Sequence, residues 1–201
     1  MKTREGARVE GFTLLELMVV VAIVAVLATV GTPAFRDLLI NQRLSAAAQA
    51  FNAALSLARM EAIRRSQSVS VTALVGRSWL GGWAVVAAQA ESESSEKSDK
   101  SDKSENRETL RRFEALPDGI SVDASLGDGF AQGVRYDSNG FSRRATSAGF
   151  GAGCLTLKAE TGRRASIVIS ASGRARVCNP DQRGDCGTGA CGSGGRKNQD
   201  G

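Results

Sequence analysis

The chain has 201 residues, a formal net charge of +5, 42% hydrophobic and 5% aromatic residues, four cysteines and no histidine. Without histidine the commonest general base is missing, no Ser/Lys or clustered-carboxylate constellation replaces it, and the cysteines lack the paired CxxC spacing of a zinc site. Composition therefore argues for a structural or binding protein with no cofactor, metal or small-molecule substrate, and keeps a membrane-anchored enzyme only as a remote alternative.

Met1 to Gly11 carries Lys2, Arg4 and Arg8 against Glu5 and Glu10, a weakly basic start that favours a cytoplasmic N-terminus. From Phe12 to Val30 only Thr13, Glu16 and Thr29 interrupt an apolar run. A helix over this run is roughly 28 Å long, enough for one bilayer crossing, with the rest of the chain outside. A secretory signal peptide is one alternative, with small residues from Ala25 to Gly31 for cleavage, but Glu16 inside the apolar region argues against it. A plain signal anchor is another, and periodicity does not exclude it. Glu16 is the informative residue, because an ionisable group at membrane depth is costly and asks for a partner charge or a function.

Apolar spacing of three and four continues past the run at Ile40, Leu44, Ala47, Phe51, Ala54, Leu55, Ala58, Ala62 and Ile63, predicting an amphipathic extension of the same helix over 31–65. Arg36, Asp37, Arg43, Asn52, Arg59, Glu61, Arg64 and Arg65 fall mostly on the other sides. Gly31 and Pro33 predict a kink or local melting, since proline removes a backbone donor and crowds the preceding turn. From Ser66 onward short alternating runs replace the helical period. Strands are expected at Ser68–Val75, Trp83–Ala87, Leu110–Leu116, Ile120–Leu126, Val134–Tyr136, Cys154–Lys158, Ser166–Ser170 and Arg174–Cys178. The fold class that follows is α+β, a long N-terminal helix packed on one mostly antiparallel head domain over 66–178.

Glu91 to Glu108 is a low-complexity stretch dominated by Ser, Glu, Lys and Asp without an apolar residue, so a solvated insert is expected in preference to a phosphorylation site or an acidic arm. A glycine-rich tail covers 179–201 and holds two of the four cysteines. Cys154, Cys178, Cys186 and Cys191 all lie where the topology places them outside, and disulfides persist there. Four cysteines allow three connectivities; Cys154 with Cys178 and Cys186 with Cys191 is favoured, because the first two flank the last strands. Between Asn139 and Cys178 the charges are Arg143, Arg144, Lys158, Arg163, Arg164, Arg174 and Arg176 against Glu160 alone. Such a face suits phosphate groups, hence DNA bound through its backbone, but a solvated face, anionic lipid or acidic neighbours are equally served.

Gly11-Phe12-Thr13-Leu14-Leu15-Glu16 followed by an apolar helix resembles the class III leader of type IV pilins and type II secretion pseudopilins. The resemblance implies a 1–11 leader cut by a prepilin peptidase between Gly11 and Phe12, methylation of the Phe12 amine, and a 12–30 transmembrane helix in the bacterial inner membrane with the head in the periplasm. It further implies that Glu16 neutralises the N-terminal ammonium of a neighbouring subunit in the filament, a poorly solvated pair in which either charge alone would be expensive. Further along, the Arg59–Arg65 end of the helix, Gly82-Trp83, Cys154-Leu155-Thr156-Leu157 and Ser172-Gly173-Arg174-Ala175-Arg176-Val177-Cys178 resemble the GspH/FimT family. That family implies a minor pilin near the filament tip, working with other minor subunits and the major subunit, or a minor pseudopilin of type II secretion. In FimT-like members the Gly-Arg-x-Arg motif, here Gly173, Arg174 and Arg176, is implicated in DNA uptake; Arg143, Arg144, Arg163 and Arg164 would assist. The charged insert and the cysteine-bearing tail depart from the family pattern.

Overall fold

Thr13 starts the helix: its hydroxyl accepts the Glu16 amide at 3.2 Å, and α1 runs from Leu14 to Arg65. Thr13-Leu14-Leu15-Glu16 thus has N-cap spacing, with an acid in the first turn where the helix dipole favours negative charge. The computed structural model describes residues 12–88, 107–125, 130, 133–144, 151–187 and 191, the side chains of 30–34 and 144 excepted. The expected cleavage residue Gly11 and nearly all of the charged insert therefore lie outside the described residues. The chain divides into two compact units, Met1–Leu39 and Ile40–Gly201.

In the first unit the described apolar side chains, Leu14, Leu17, Met18, Val21 and Val24 among them, are exposed. Among the described residues no helix is long and apolar enough to cross a membrane; positions 30–34, at the end of the expected 12–30 span and just beyond it, are not among those whose side chains are described. Of the kink or local melting expected at Gly31 and Pro33, the melting is corrected, since α1 continues through both. A single proline forfeits one amide bond, which the flanking turns of a long helix can bridge.

The second unit is built around the predicted apolar stripe. Ile40, Leu44, Ala47, Phe51, Ala54, Leu55, Ala58 and Ala62 are buried, whereas Ile63 is half exposed and leaves the stripe. The alanines bring the helix backbone close to the sheets, and Phe51 fills the space left between them. Its ring lies 5.0 Å from Trp79, 5.1 Å from Trp83 and 6.1 Å from Phe130, and Trp83 stacks on Phe113 at 5.5 Å. Such aromatic contacts add to the burial of area itself.

Among the described residues nine strands follow: β1 Val69–Val75, β2 Ser78–Ala88, β3 Arg107–Phe113, β4 Ile120–Val122, β5 Val134–Tyr136, β6 Ser142–Arg144, β7 Gly153–Ala159, β8 Arg164–Ile169 and β9 Ala175–Cys178. They form a first sheet ordered β3-β2-β1-β5-β6 and a second ordered β4-β7-β8-β9, with antiparallel pairing throughout. Alternation assigns the faces. Val69, Val71, Val85, Leu155, Leu157, Ile167 and Ile169 join the helix stripe in one core, and their neighbours in sequence point away. The α+β expectation of a long helix on antiparallel strands holds, although the strands divide into two sheets.

Several boundaries move. β2 is longer than the expected 83–87; β3 starts at Arg107, within the stretch assigned to the insert; β4 stops at Val122; β6 was not expected at all. A three-residue strand reading Ser-Arg-Arg has no alternation to detect, and only pairing with β5 defines it.

Candidate functional site

Gly173 of the Gly-Arg-x-Arg stretch sits in a tight turn at φ +81, its amide donating to the Ser170 carbonyl at 2.9 Å. A Cβ there would stand 2.0 Å from the Gly140 carbonyl oxygen and 3.1 Å from the Tyr136 ring. Glycine is thus required both by the backbone and by close approach of a second turn. That second turn, Asp137–Phe141, is tied to the helix end by Arg59, whose Nε donates to the Gly140 carbonyl at 3.1 Å. Ser142 adds a bond from its hydroxyl to the Ser170 carbonyl at 2.8 Å, so the motif turn is clamped onto the end of the first sheet. Burial pushes the neighbouring Tyr136 hydroxyl upward, well beyond the usual phenol range.

Beyond the turn, β9 carries Arg176 and Cys178 on the outer face of the second sheet. Arg176 pairs with Val168 and Cys178 with Ser166, whereas Val177 pairs with the core residue Ile167. Arg174, just before the strand, is exposed. Arg164 lies on the same outer face, opposite Lys158, and Arg163 is exposed in the β7–β8 turn. Arg143 and Arg144 lie elsewhere, on β6 at the edge of the first sheet. The structure therefore splits the predicted arginine set between two sheets.

It also supplies counter-charges that sequence order hides. Arg164 pairs with Asp123 Oδ2 at 3.3 Å and, through Nη2, with Asp181 Oδ1. Asp181 foremost, with Asp123 assisting, holds the Arg164 guanidinium above its ordinary range. Arg143 Nε donates to Asp137 Oδ2 at 2.8 Å. Burial acts upward on the Asp137 carboxyl, but Arg143 and the amides of Phe141 and Asn139 outweigh it and hold it below the usual carboxylate range. Arg176 Nη1 donates to the Asp185 carbonyl at 2.6 Å. The expectation that Glu160 alone opposes this charge is corrected, because Asp123, Asp137 and Asp181 come from outside the counted segment.

The cysteine pairing is corrected too. All four are oxidised, as Cys154–Cys191 and Cys178–Cys186, not Cys154–Cys178 and Cys186–Cys191. The register gives the reason: Cys154 and Cys178 share the outer face, but Cys154 lies beside Val168 and Cys178 beside Ser166, on different rows and two strands apart. Strand neighbours are about 4.8 Å apart, so two strands exceed a disulfide's reach of roughly 7 Å between Cα atoms. The tail bridges to each instead. Cys191 meets this face beside buried Thr156 and Ser166, whose hydroxyls lie 2.7 Å apart, with Cys191 Sγ 3.2 Å from Thr156 Oγ1. Sequence reasoning missed Asp181 of the tail as a partner of the basic face. The available signal was its position between Cys178 and Cys186.

At the other end of the chain, Phe12 is 76% exposed and adjoins the Thr13 cap. It is the amide of Glu16, not its carboxylate, that the cap engages.

The family model of the prokaryotic N-terminal methylation motif matches residues 7–32, and that of the Type II transport protein GspH matches residues 47–173. Among solved structures, the chain is similar to the type IV minor pilin FimU of Pseudomonas aeruginosa strain PAO1, at 18% identity and a TM-score of 0.51, covering 73% of this chain and 96% of that one. A second similarity is to the minor pseudopilin EpsH of the Type 2 Secretion System of Vibrio cholerae, at 20% identity and a TM-score of 0.43, covering 70% and 99%. At these identities the FimU likeness speaks for the fold. No curated protein matches the chain. The GspH match runs from the buried helix face to Gly173 itself, over more than half of the sequence, and the chain belongs to the GspH family of minor pilins and pseudopilins.

Proposed function

We propose that the protein is a FimT-like minor type IV pilin that takes part in pilus assembly at the filament tip. The observation that carries this reading is the methylation motif over 7–32 joined through one helix to a pilin-type head. In this reading the apolar helix holds the precursor in the inner membrane with its head in the periplasm. A prepilin peptidase cuts between Gly11 and Phe12, and Phe12 becomes the methylated N-terminus. Glu16 then meets the ammonium of a neighbouring subunit, and the chain assembles with other minor subunits and the major one. Its work is assembly, not catalysis. Mass spectrometry of the protein from its native host tests the processing: a mature chain beginning at methylated Phe12 is expected, and any other first residue would sink the prepilin reading.

The basic head adds a second tier, DNA binding for uptake, with Gly173 shaping the turn and the arginines at 143, 144, 163, 164, 174 and 176 supplying positive charge. Salt-sensitive retention of the full chain on duplex DNA is expected. The matched family's description as a Type II transport protein favours a second reading, a minor pseudopilin of type II secretion. The two readings separate by co-purification: pilus subunits support the first, secretion pseudopilins the second.

A further inference from the structure

The head has two outer sheet faces, and the chain's own acids treat them differently. On the second sheet, Arg164 is held by Asp123 and Asp181, Arg176 is engaged by the Asp185 backbone, and two disulfides tie tail cysteines to Cys154 and Cys178. On the first sheet the register places Arg143 opposite Arg135, and Arg135 opposite Ser70. One step along, Thr72 pairs with Ala84 and Ala84 with Arg112, while Arg107 pairs with Ala88 at the far end. The alternate positions Val71 and Val85 belong to the core, so these arginines stand on the side away from it. Arg107 and Arg112 are exposed and Arg135 is half-buried. Among the described residues, those three make no ion pair, and Asp137 engages Arg143.

Arg135 directly across from Arg143 is a like-charge pair, which destabilises a ladder unless an anion joins it. Asp137 offsets one member. Five strands at about 4.8 Å spacing make a face roughly 19 Å wide, with Arg143 on one edge strand and Arg107 and Arg112 on the other. Duplex DNA carries about one negative charge per 1.7 Å of its axis, so a segment crossing this face brings phosphates to several guanidinium groups at once. Arginine's planar fork suits phosphate oxygens, and such contacts position a duplex without reading its sequence.

We infer that the outer face of the first sheet, through Arg107, Arg112 and Arg135, is the principal DNA-docking surface of the head, and that its occupant is the phosphodiester backbone. The inference rests on the DNA-binding reading above and relocates its main contact away from the Gly173–Arg176 turn.

The test uses the full chain in zwitterionic detergent and a mixed-sequence duplex. Arg112→Gln with Arg135→Gln is expected to weaken binding about tenfold or more at low salt and to reduce the slope of log K against log salt by about two. Arg112→Lys with Arg135→Lys should keep the slope, which separates lost charge from lost folding. Arg174→Gln with Arg176→Gln should weaken binding by less than the Arg112 and Arg135 pair does, because Arg176 is already engaged by the Asp185 carbonyl. If the loss instead follows Arg174 and Arg176, this inference is wrong while the DNA reading stands. If the unaltered protein does not bind the duplex, both fall. Preferential binding to phosphatidylglycerol vesicles, lost with Arg112 and Arg135, would make the occupant a lipid surface and overturn the inference as well.

Discussion

A Cβ at position 173 would lie 2.0 Å from the Gly140 carbonyl oxygen, and the φ of +81 already disfavours any L side chain. Gly173→Ala is therefore expected to cost about 2 kcal/mol or more in denaturant unfolding, by prising the motif turn from the Asp137–Phe141 turn. This is a structural role for a glycine that the sequence marks only as a motif letter. Asp137 anchors the same region and sets an acid limit. Its folded-state pKa lies below the unfolded value of about 3.9, so its stabilising contribution is fully present above that value and is lost as pH falls through the folded one. Asp123 behaves alike, held down first by the Ser125 hydroxyl, then by the Ser125 amide and Arg164. Thermal unfolding should show a midpoint that falls below about pH 4, and Asp137→Asn should lower the midpoint at pH 7 while flattening that acid fall.

Elements with strong periodicity were legible from sequence; those defined by a partner were not. The stripe from Ile40 to Ala62 is visible because helical spacing repeats over many turns, β1 and β7 because valines or leucines alternate with polar residues, and β8 because Ile167-Val168-Ile169 is a short β-branched run. β6 and the first residues of β3 carry no such pattern, and pairing with β5 and β2 makes them strands. The tail is the extreme case. Its composition reads as featureless, yet two disulfides tie its cysteines to β7 and β9. Cys154→Ala with Cys191→Ala removes the longer closure, of sequence separation 37, and is expected to cost about 2–4 kcal/mol in equilibrium unfolding. The same variant frees part of the tail, so labelling of Arg164 by an arginine-specific dicarbonyl should rise; unchanged labelling would show that Asp181 stays in place without that bridge.

At the scale of the whole molecule, the proposed function divides the work between the N-terminal helix, which would join a filament, and the head, which would present a surface. Glu16→Ala separates these roles cleanly. The helix cap uses the Glu16 amide, which alanine keeps, so the helix start is preserved while the carboxylate is lost. Filament incorporation, followed by immunoblotting of sheared filaments, is expected to fall severalfold with DNA binding by the solubilised chain unchanged; normal incorporation would break the proposed pairing with a neighbour's ammonium. The sequence by itself determined the helix, its leader-like start, the α+β class and the family, because these rest on local spacing and contiguous motifs. Only the tertiary structure decided the disulfide partners, the division of the arginines between two sheets, and which of them are met by aspartates. Those properties depend on strand register and on residues distant in the chain, and charge counted along a sequence does not reveal what stands opposite it in space.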